Sequence, residues 1–200
     1  MTAQQLVDAC RAVAAAGLSP GSSGNASVRI GDRVLITPTG SSLRRVTAGD
    51  VVELALDGAH VAGPAPTKEW ALHVAAYRVR PDARAVIHLH SRAATAVSCL
   101  ACAPGADPLP PYTPYRLRTL GRVRLVDYAA PGSDALARGV ADAAADAHVL
   151  LLANHGSVVC APDLERAVDL CEELEAAAEL ALTLHGRAAR LLDPTTAWTG

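Results

Sequence analysis

The sequence predicts an α/β or mixed α+β protein, and three observations carry that expectation. Helix-period apolar patterns alternate along the chain with short β-branched runs, as interleaved helices and strands do. Two of those runs, Ala85-Val86-Ile87-His88-Leu89-His90 and His148-Val149-Leu150-Leu151-Leu152, are nearly continuous in apolar residues, which suits strands covered on both faces. No repeat and no low-complexity linker interrupts the 200 residues, so residues 1–200 are expected to form one domain. The spacing of the elements leaves open whether the strands run parallel.

The elements follow in order. Residues 3 to 16 place Leu6, Cys10 and Val13 at helical spacing, with Gly17 as the C-terminal cap. A Gly/Ser/Asn-rich loop then runs into Val28-Arg29-Ile30 and Val34-Leu35-Ile36, a hairpin about Gly31-Asp32. A second small-residue loop occupies residues 37 to 42, and Val51 to Leu56 reads as a strand ended by Asp57-Gly58. Thr67 is an N-cap for a helix reaching about Arg80, where Pro81 stops it. After the strand at 85–90, residues 104 to 115 are proline-rich and irregular. Val123 to Tyr128 is expected as a strand, Asp134 to Asp146 as a helix, and His148 to Leu152 as a buried strand. Asp163 caps a long last helix with Leu164, Val168, Cys171, Leu174 and Ala178 on one face.

Composition narrows the function classes. Half the chain is apolar and 19% is charged, a globular balance, and a net charge of -2 offers no bulk attraction to nucleic acid. Apolar runs such as Val149 to Ala153 fall far below the roughly 18 residues of a membrane span. The start, MTAQQLVDACRAVAAAG, has no basic n-region and reads as a helix rather than a signal peptide. Five cysteines, an odd count without regular spacing, suit a reducing cytoplasm. Phe is absent, Lys68 is the one lysine, and about one residue in five is alanine, a bias of genome composition.

His88-Leu89-His90 is the sharpest local signal. Residues i and i+2 of a strand face the same way, so two imidazoles converge and fit either one Zn²⁺ or two strand-end histidines bonded to water and carboxylates. His155 ends another buried strand, with Gly156 letting the chain turn away, and three such histidines leave a catalytic ion an open position. Glu69 fits a helix-start acid equally well. His73, four residues on, shares its face, as an outer partner or as a core or surface histidine. His60, His148 and His185 read as structural. The loops at 21–27 and 37–42 offer backbone N–H groups and hydroxyls to an oxyanion. Cys99-Leu100-Ala101-Cys102 has CxxC form inside an apolar stretch, where packing thiols are common.

Taken together, the blocks GSSGNASVR, LITPTGSSL, PTKEWALHVAAYRVRPDARAVIHLHS and LLANHG, followed by a long acidic helix, resemble the class II aldolase/adducin family from about residue 4 to residue 190. The resemblance implies an α/β/α three-layer fold with a largely antiparallel sheet. It implies a Zn²⁺ on His88, His90, His155 and Glu69, with Glu69 also the acid/base. It implies homotetramers with sites near subunit interfaces. Tyr112 aligns best with the family's catalytic tyrosine, with Tyr115 close by. Phosphate would sit on Asn25, Thr39, Gly40 and Thr67, with Ser41 and Lys68 nearby.

Within the family, Thr67-Lys68-Glu69, HLHS and PPYTPY look like the 3-oxo-tetronate 4-phosphate decarboxylases, where the sugar-phosphate aldolases tend to read SSE. The expected reaction is loss of CO₂ from a β-keto acid through a metal-stabilised enediolate, giving dihydroxyacetone phosphate. The alternative is a class II aldolase of the L-fuculose 1-phosphate type, which forms the same enediolate by releasing an aldehyde. Several aldolases carry a tail beyond the point where this chain ends, Trp198-Thr199-Gly200, which leans toward the decarboxylase. Ser91-Arg92 departs from the Ser-Thr that often follows HLH in the decarboxylases. Adducin-like non-catalytic members lose the metal histidines, whereas this chain keeps them. Mn²⁺, Co²⁺ or Fe²⁺ also suit such a ligand set.

Overall fold

Thr2 starts the first helix, α1 (Ala3–Ala15), through a reciprocal cap: its hydroxyl accepts from the Gln5 amide and its own N–H donates to the Gln5 side chain. The computed structural model describes residues 1–195, so Trp198-Thr199-Gly200 lie outside the described residues. The chain continues as β1 (Asn25–Ile30), β2 (Arg33–Ile36), β3 (Val52–Ala55), β4 (His60–Ala62), α2 (Trp70–Val79), β5 (Ala85–Leu89) and α3 (Arg92–Ser98). It ends with α4 (Pro114–Leu120), β6 (Val123–Val126), α5 (Asp134–Ala144), β7 (Val149–Leu152), β8 (Gly156–Ala161) and α6 (Leu164–Leu184).

The strands form one eight-stranded sheet in the order β4-β3-β2-β1-β5-β8-β7-β6. Neighbours pair antiparallel except β6 and β7, which are parallel. Alternate residues of β5 serve two cores. Ala85, Ile87 and Leu89 pack with α1, α3 and α6, while Val86 packs with α2 and α5. The result is the expected three-layer architecture, and it explains why β5 is buried along its whole length. His88 and His90 share the Val86 side of the strand, toward α2.

Several elements differ from the sequence expectation. Helix α2 begins at Trp70, not Thr67, because the Thr67 carbonyl closes a tight turn by accepting from the Trp70 N–H, while its hydroxyl accepts from the Glu69 N–H and its own N–H is given to the Thr37 carbonyl. Residues 67–69 are thereby tied to the loop at 37–42 as a turn. Helix α4 starts inside the proline-rich stretch, where Thr113 caps the Arg116 amide and Pro114 occupies the first helical position. Strand β4 and helix α3 are too short to show their own period in the sequence, and β8 is buried along its whole length and so shows no alternation. Cys99 is exposed rather than a packing residue, because it caps the C-terminal end of α3 past that helix's buried turns; Cys10, Cys160 and Cys171 are buried. Among the described residues, no helix is long and apolar enough to cross a membrane.

A candidate metal centre beside the central strands

Three histidines and one carboxylate converge at the C-terminal end of β5. Their ligand atoms, one each from Glu69, His88, His90 and His155, all lie within 4.8 Å of one another. His88 and His90 come from β5 and the residue after it. His155 comes from the tight β7–β8 turn, where Asn154 adopts a left-handed conformation (φ 56°) that asparagine tolerates better than most residues. Gly156 is required there, since a Cβ would stand 2.3 Å from the Leu89 carbonyl and 2.8 Å from the His90 ring. Gly24 does the same service on the other flank, where a Cβ would meet the His88 carbonyl at 2.9 Å.

The hydrogen bonds define which atoms point inward. His88 Nδ1–H donates to the Ser157 carbonyl at 2.8 Å, which leaves the lone pair of the neutral ring on Nε2. That Nε2 stands 3.1 Å from Glu69 Oε2 and 2.9 Å from His90 Nε2, while His155 Nε2 stands 3.3 Å from Glu69 Oε1. Glu69 Oε1 is buried and accepts no hydrogen bond. Lone pairs of neutral imidazoles and a carboxylate gathered around one point repel unless a cation lies among them. Ligands held at about 2.0–2.1 Å on a tetrahedral ion stand roughly 3.3 Å apart, close to the separations here. Three imidazoles and a carboxylate fit a divalent metal.

Electrostatics favours the same state. Burial drives the Glu69 carboxyl upward, but the His88 contact, the neighbouring His88 and His155, and the Asn25 amide outweigh it and bring it to about 2. Burial, followed by the charges of His88 and His155, lowers His90 to about 4, and His155 is lowered chiefly by burial. Glu69 is therefore a carboxylate, and His90 and His155 are neutral imidazoles, at neutral pH, as metal binding requires. Glu69 and His88 are buried while His90 and His155 are partly exposed, so the cluster opens toward solvent on the His90–His155 side.

The match to known proteins is extensive. The model of the class II aldolase and adducin N-terminal domain matches residues 4–182. The chain belongs to the class II aldolase/adducin family. A 3-oxo-tetronate 4-phosphate decarboxylase of Haemophilus influenzae is 41% identical over 180 residues, covering 90% of this chain and 86% of the relative. An L-fuculose phosphate aldolase of Escherichia coli is 38% identical over 183 residues, covering 90% and 82%. The crystal structure of YgbL from Klebsiella pneumoniae superposes with a TM-score of 0.92 at 37% identity, covering 98% of each chain.

Within this class II aldolase fold, the other expected residues fall into two places. The loop carrying Thr39, Gly40 and Ser41 lies against the strand of chain leading to Thr67 and Lys68: Thr39 N–H donates to the Ala65 carbonyl and Pro38 bridges to Pro66. Gly40 (φ 69°) makes the turn that lets Ser41 donate back to the Pro38 carbonyl. Thr67 is buried and Lys68 exposed, immediately before Glu69. Asn25 lies at the same corner, directly across the β1–β5 ladder from His88, but its amide is engaged with Glu69 (3.1 Å) and His73 (2.5 Å). His73 is a fully buried core histidine bonded to Asn25 rather than to Glu69.

Tyr112 packs against the core formed with α1, α3 and α6, and lines a cavity with Cys102, Asp107 and His185 beyond the C-terminal end of α3. Tyr115 is exposed on α4 and stacks with Arg118. Sequence reading missed Ser157, whose carbonyl orients His88, and Glu175 of α6. The Glu175 carboxylate accepts from Ser91 Oγ (2.6 Å), Ala93 N–H (2.8 Å) and Ala94 N–H (3.0 Å), anchoring α3 directly after His90. An acid on the apolar side of a helix was the available signal for Glu175; a backbone carbonyl leaves none.

Proposed function

We propose that this chain is a metal-dependent carbon–carbon lyase that decarboxylates a 3-oxo-tetronate 4-phosphate to dihydroxyacetone phosphate and CO₂, acting as a single domain over residues 1–200. The observation that carries the reading is Lys68, exposed between buried Thr67 and Glu69. It puts the chain's one lysine where an acidic sugar phosphate needs a cation. Relatives named 3-oxo-tetronate 4-phosphate decarboxylase, 41% and 42% identical to this chain, support it. Three imidazoles and a carboxylate suit Zn²⁺ on His88, His90, His155 and Glu69, and a bound Zn²⁺ supplies a Lewis acid for the oxygen charge that develops as a carbon–carbon bond breaks.

The chain's residues supply the rest. Ionised Glu69 first takes the proton of the substrate C2 hydroxyl. The C1–C2 bond then breaks, CO₂ leaves, and its electron pair passes through C2 into the 3-keto group. Glu69 returns the proton to C2, and the C2 oxygen regains one from water as product departs. Thr39, Gly40, Ser41 and Thr67 cradle the phosphate, with the remaining Asn25 N–H and Lys68 beside it. Tyr112 or Tyr115 takes the place of water as that last proton donor only when a second copy delivers it, which fits a homotetramer with sites near subunit interfaces. Residence in the cytoplasm fits the free cysteines.

A second reading, aldol cleavage of a ketose 1-phosphate, uses the same centre and is favoured by the relative named L-fuculose phosphate aldolase. Zinc-loaded protein incubated with 3-oxo-tetronate 4-phosphate should release CO₂ and dihydroxyacetone phosphate in equal amounts, and chelator should stop both. Absence of both products, with aldehyde released from L-fuculose 1-phosphate instead, would replace the first reading by the second.

A further inference from the structure

Two polar stripes face each other where a buried helix–sheet interface is otherwise apolar. On β1, Asn25 and Ser27 point toward α2, while Ala26 and Val28 enter the opposite core. On the α2 side, Glu69, His73 and Tyr77 recur every four residues. The two spacings match, since four helical residues rise about 6 Å and two strand residues about 6.8 Å. The stripes therefore interdigitate. Asn25 bonds Glu69 and His73; Ser27 bonds His73 Nδ1 (2.8 Å) and Tyr77 Oη (2.9 Å). All five side chains are buried, and Ser27, His73 and Tyr77 are at most 1% exposed.

Donor and acceptor chemistry gives this chain a single direction. The Glu69 carboxylate only accepts, so Asn25 turns its Nδ2–H₂ to Oε2 and its carbonyl to His73. His73 must then carry its proton on Nε2 and accept at Nδ1 from the Ser27 hydroxyl, which in turn accepts from Tyr77. We propose that His73 is a positioning residue for the reaction: through Asn25 it commits Glu69 Oε2 to a fixed hydrogen bond and leaves Oε1 as the oxygen that exchanges the substrate proton. Oε1 accepts no hydrogen bond from the protein, whereas Oε2 is held by Asn25 and lies beside His88. Without the Nε2–H, the Asn25 amide is free to flip and present its carbonyl to a carboxylate, which repels it. The inference rests on Glu69 being the proton-transferring group.

The test joins a spectroscopic and a kinetic measurement. In zinc-loaded protein labelled with ¹⁵N-histidine, with the His73 signals assigned by their loss in His73→Phe, His73 should be a neutral imidazole protonated at Nε2 at pH 7. A ring protonated at Nδ1 overturns the proposal. On 3-oxo-tetronate 4-phosphate, His73→Phe should lower kcat by about 10- to 100-fold with KM within about twofold. His73→Gln, which restores an N–H to Asn25, should recover most of that loss. Wild-type kcat in His73→Phe, or no recovery in a His73→Gln protein that melts like wild type, also overturns it. If the wild-type protein turns over nothing, the proposed reaction falls, and the tautomer alone still decides for or against the directed chain.

Discussion

Glu69 has two oxygens in different circumstances, and that difference sets what its substitution should do. Oε2 is held by Asn25 and lies beside His88, while Oε1 is buried without a donor. Glu69→Gln keeps the shape and one coordinating oxygen but cannot take a proton. It should retain bound zinc in metal analysis yet lose turnover by about 10² to 10⁴. His90→Ala removes a ligand instead and should lose zinc and turnover together while the fold persists. Equal kinetics in Glu69→Gln and wild type would remove Glu69 from proton transfer. His88 and His90 were legible from their spacing, because a strand's two-residue period puts alternate side chains on one face, and His155 from its place at the end of another buried strand before Gly156. Asn25 was legible only as a loop-end polar residue. Its true neighbours follow from facing His88 across the ladder, a pairing between residues 63 positions apart that no local pattern contains.

At the scale of elements, α3 matters because it follows His90 after a single residue. Its N-terminus is fastened to α6 by Glu175, which receives three hydrogen bonds from residues 91 to 94. Glu175→Ala should lower stability by about 1–2 kcal/mol, as loss of a helix cap does, and weaken zinc binding up to about tenfold through His90. Denaturant midpoints and zinc titration of the same preparation read both. Unchanged zinc affinity in a destabilised protein would confine Glu175 to a structural role. Long elements were legible: α1, α5 and α6 carry several turns of apolar periodicity, and their caps Thr2, Ser133 and Asp163 each accept a backbone N–H at the start. The start of α2 was not, because Thr67 has the side chain of a cap yet its carbonyl closes a separate turn with the Trp70 N–H.

For the whole molecule, buried neutral histidines link stability to pH. Burial, then the charge of His88, lowers His73 to about 3, and His90 is lowered to about 4, against an ordinary 6.5 for histidine. Below about pH 6.5 the unfolded chain takes up protons that the native chain refuses, so native stability falls with pH toward 4 and 3. Glu69, held near 2, adds a loss in the same direction below its ordinary value of 4.5. Metal-free protein should therefore show denaturant midpoints that are flat between about pH 7 and 8 and decline steadily at pH 6, 5 and 4. A midpoint at pH 5 equal to that at pH 8 would contradict a neutral buried His73. The sequence by itself determined the alternation of elements, the ligand types and their presence at strand ends, because apolar period and motif spacing are local properties. The tertiary structure alone decided that β5 lies between β1 and β8, that α2 docks its polar stripe on Asn25 and Ser27, and that Tyr112 packs against the core of α1, α3 and α6. Those outcomes depend on strand register and layer packing, which are set by contacts between distant segments rather than by any one of them.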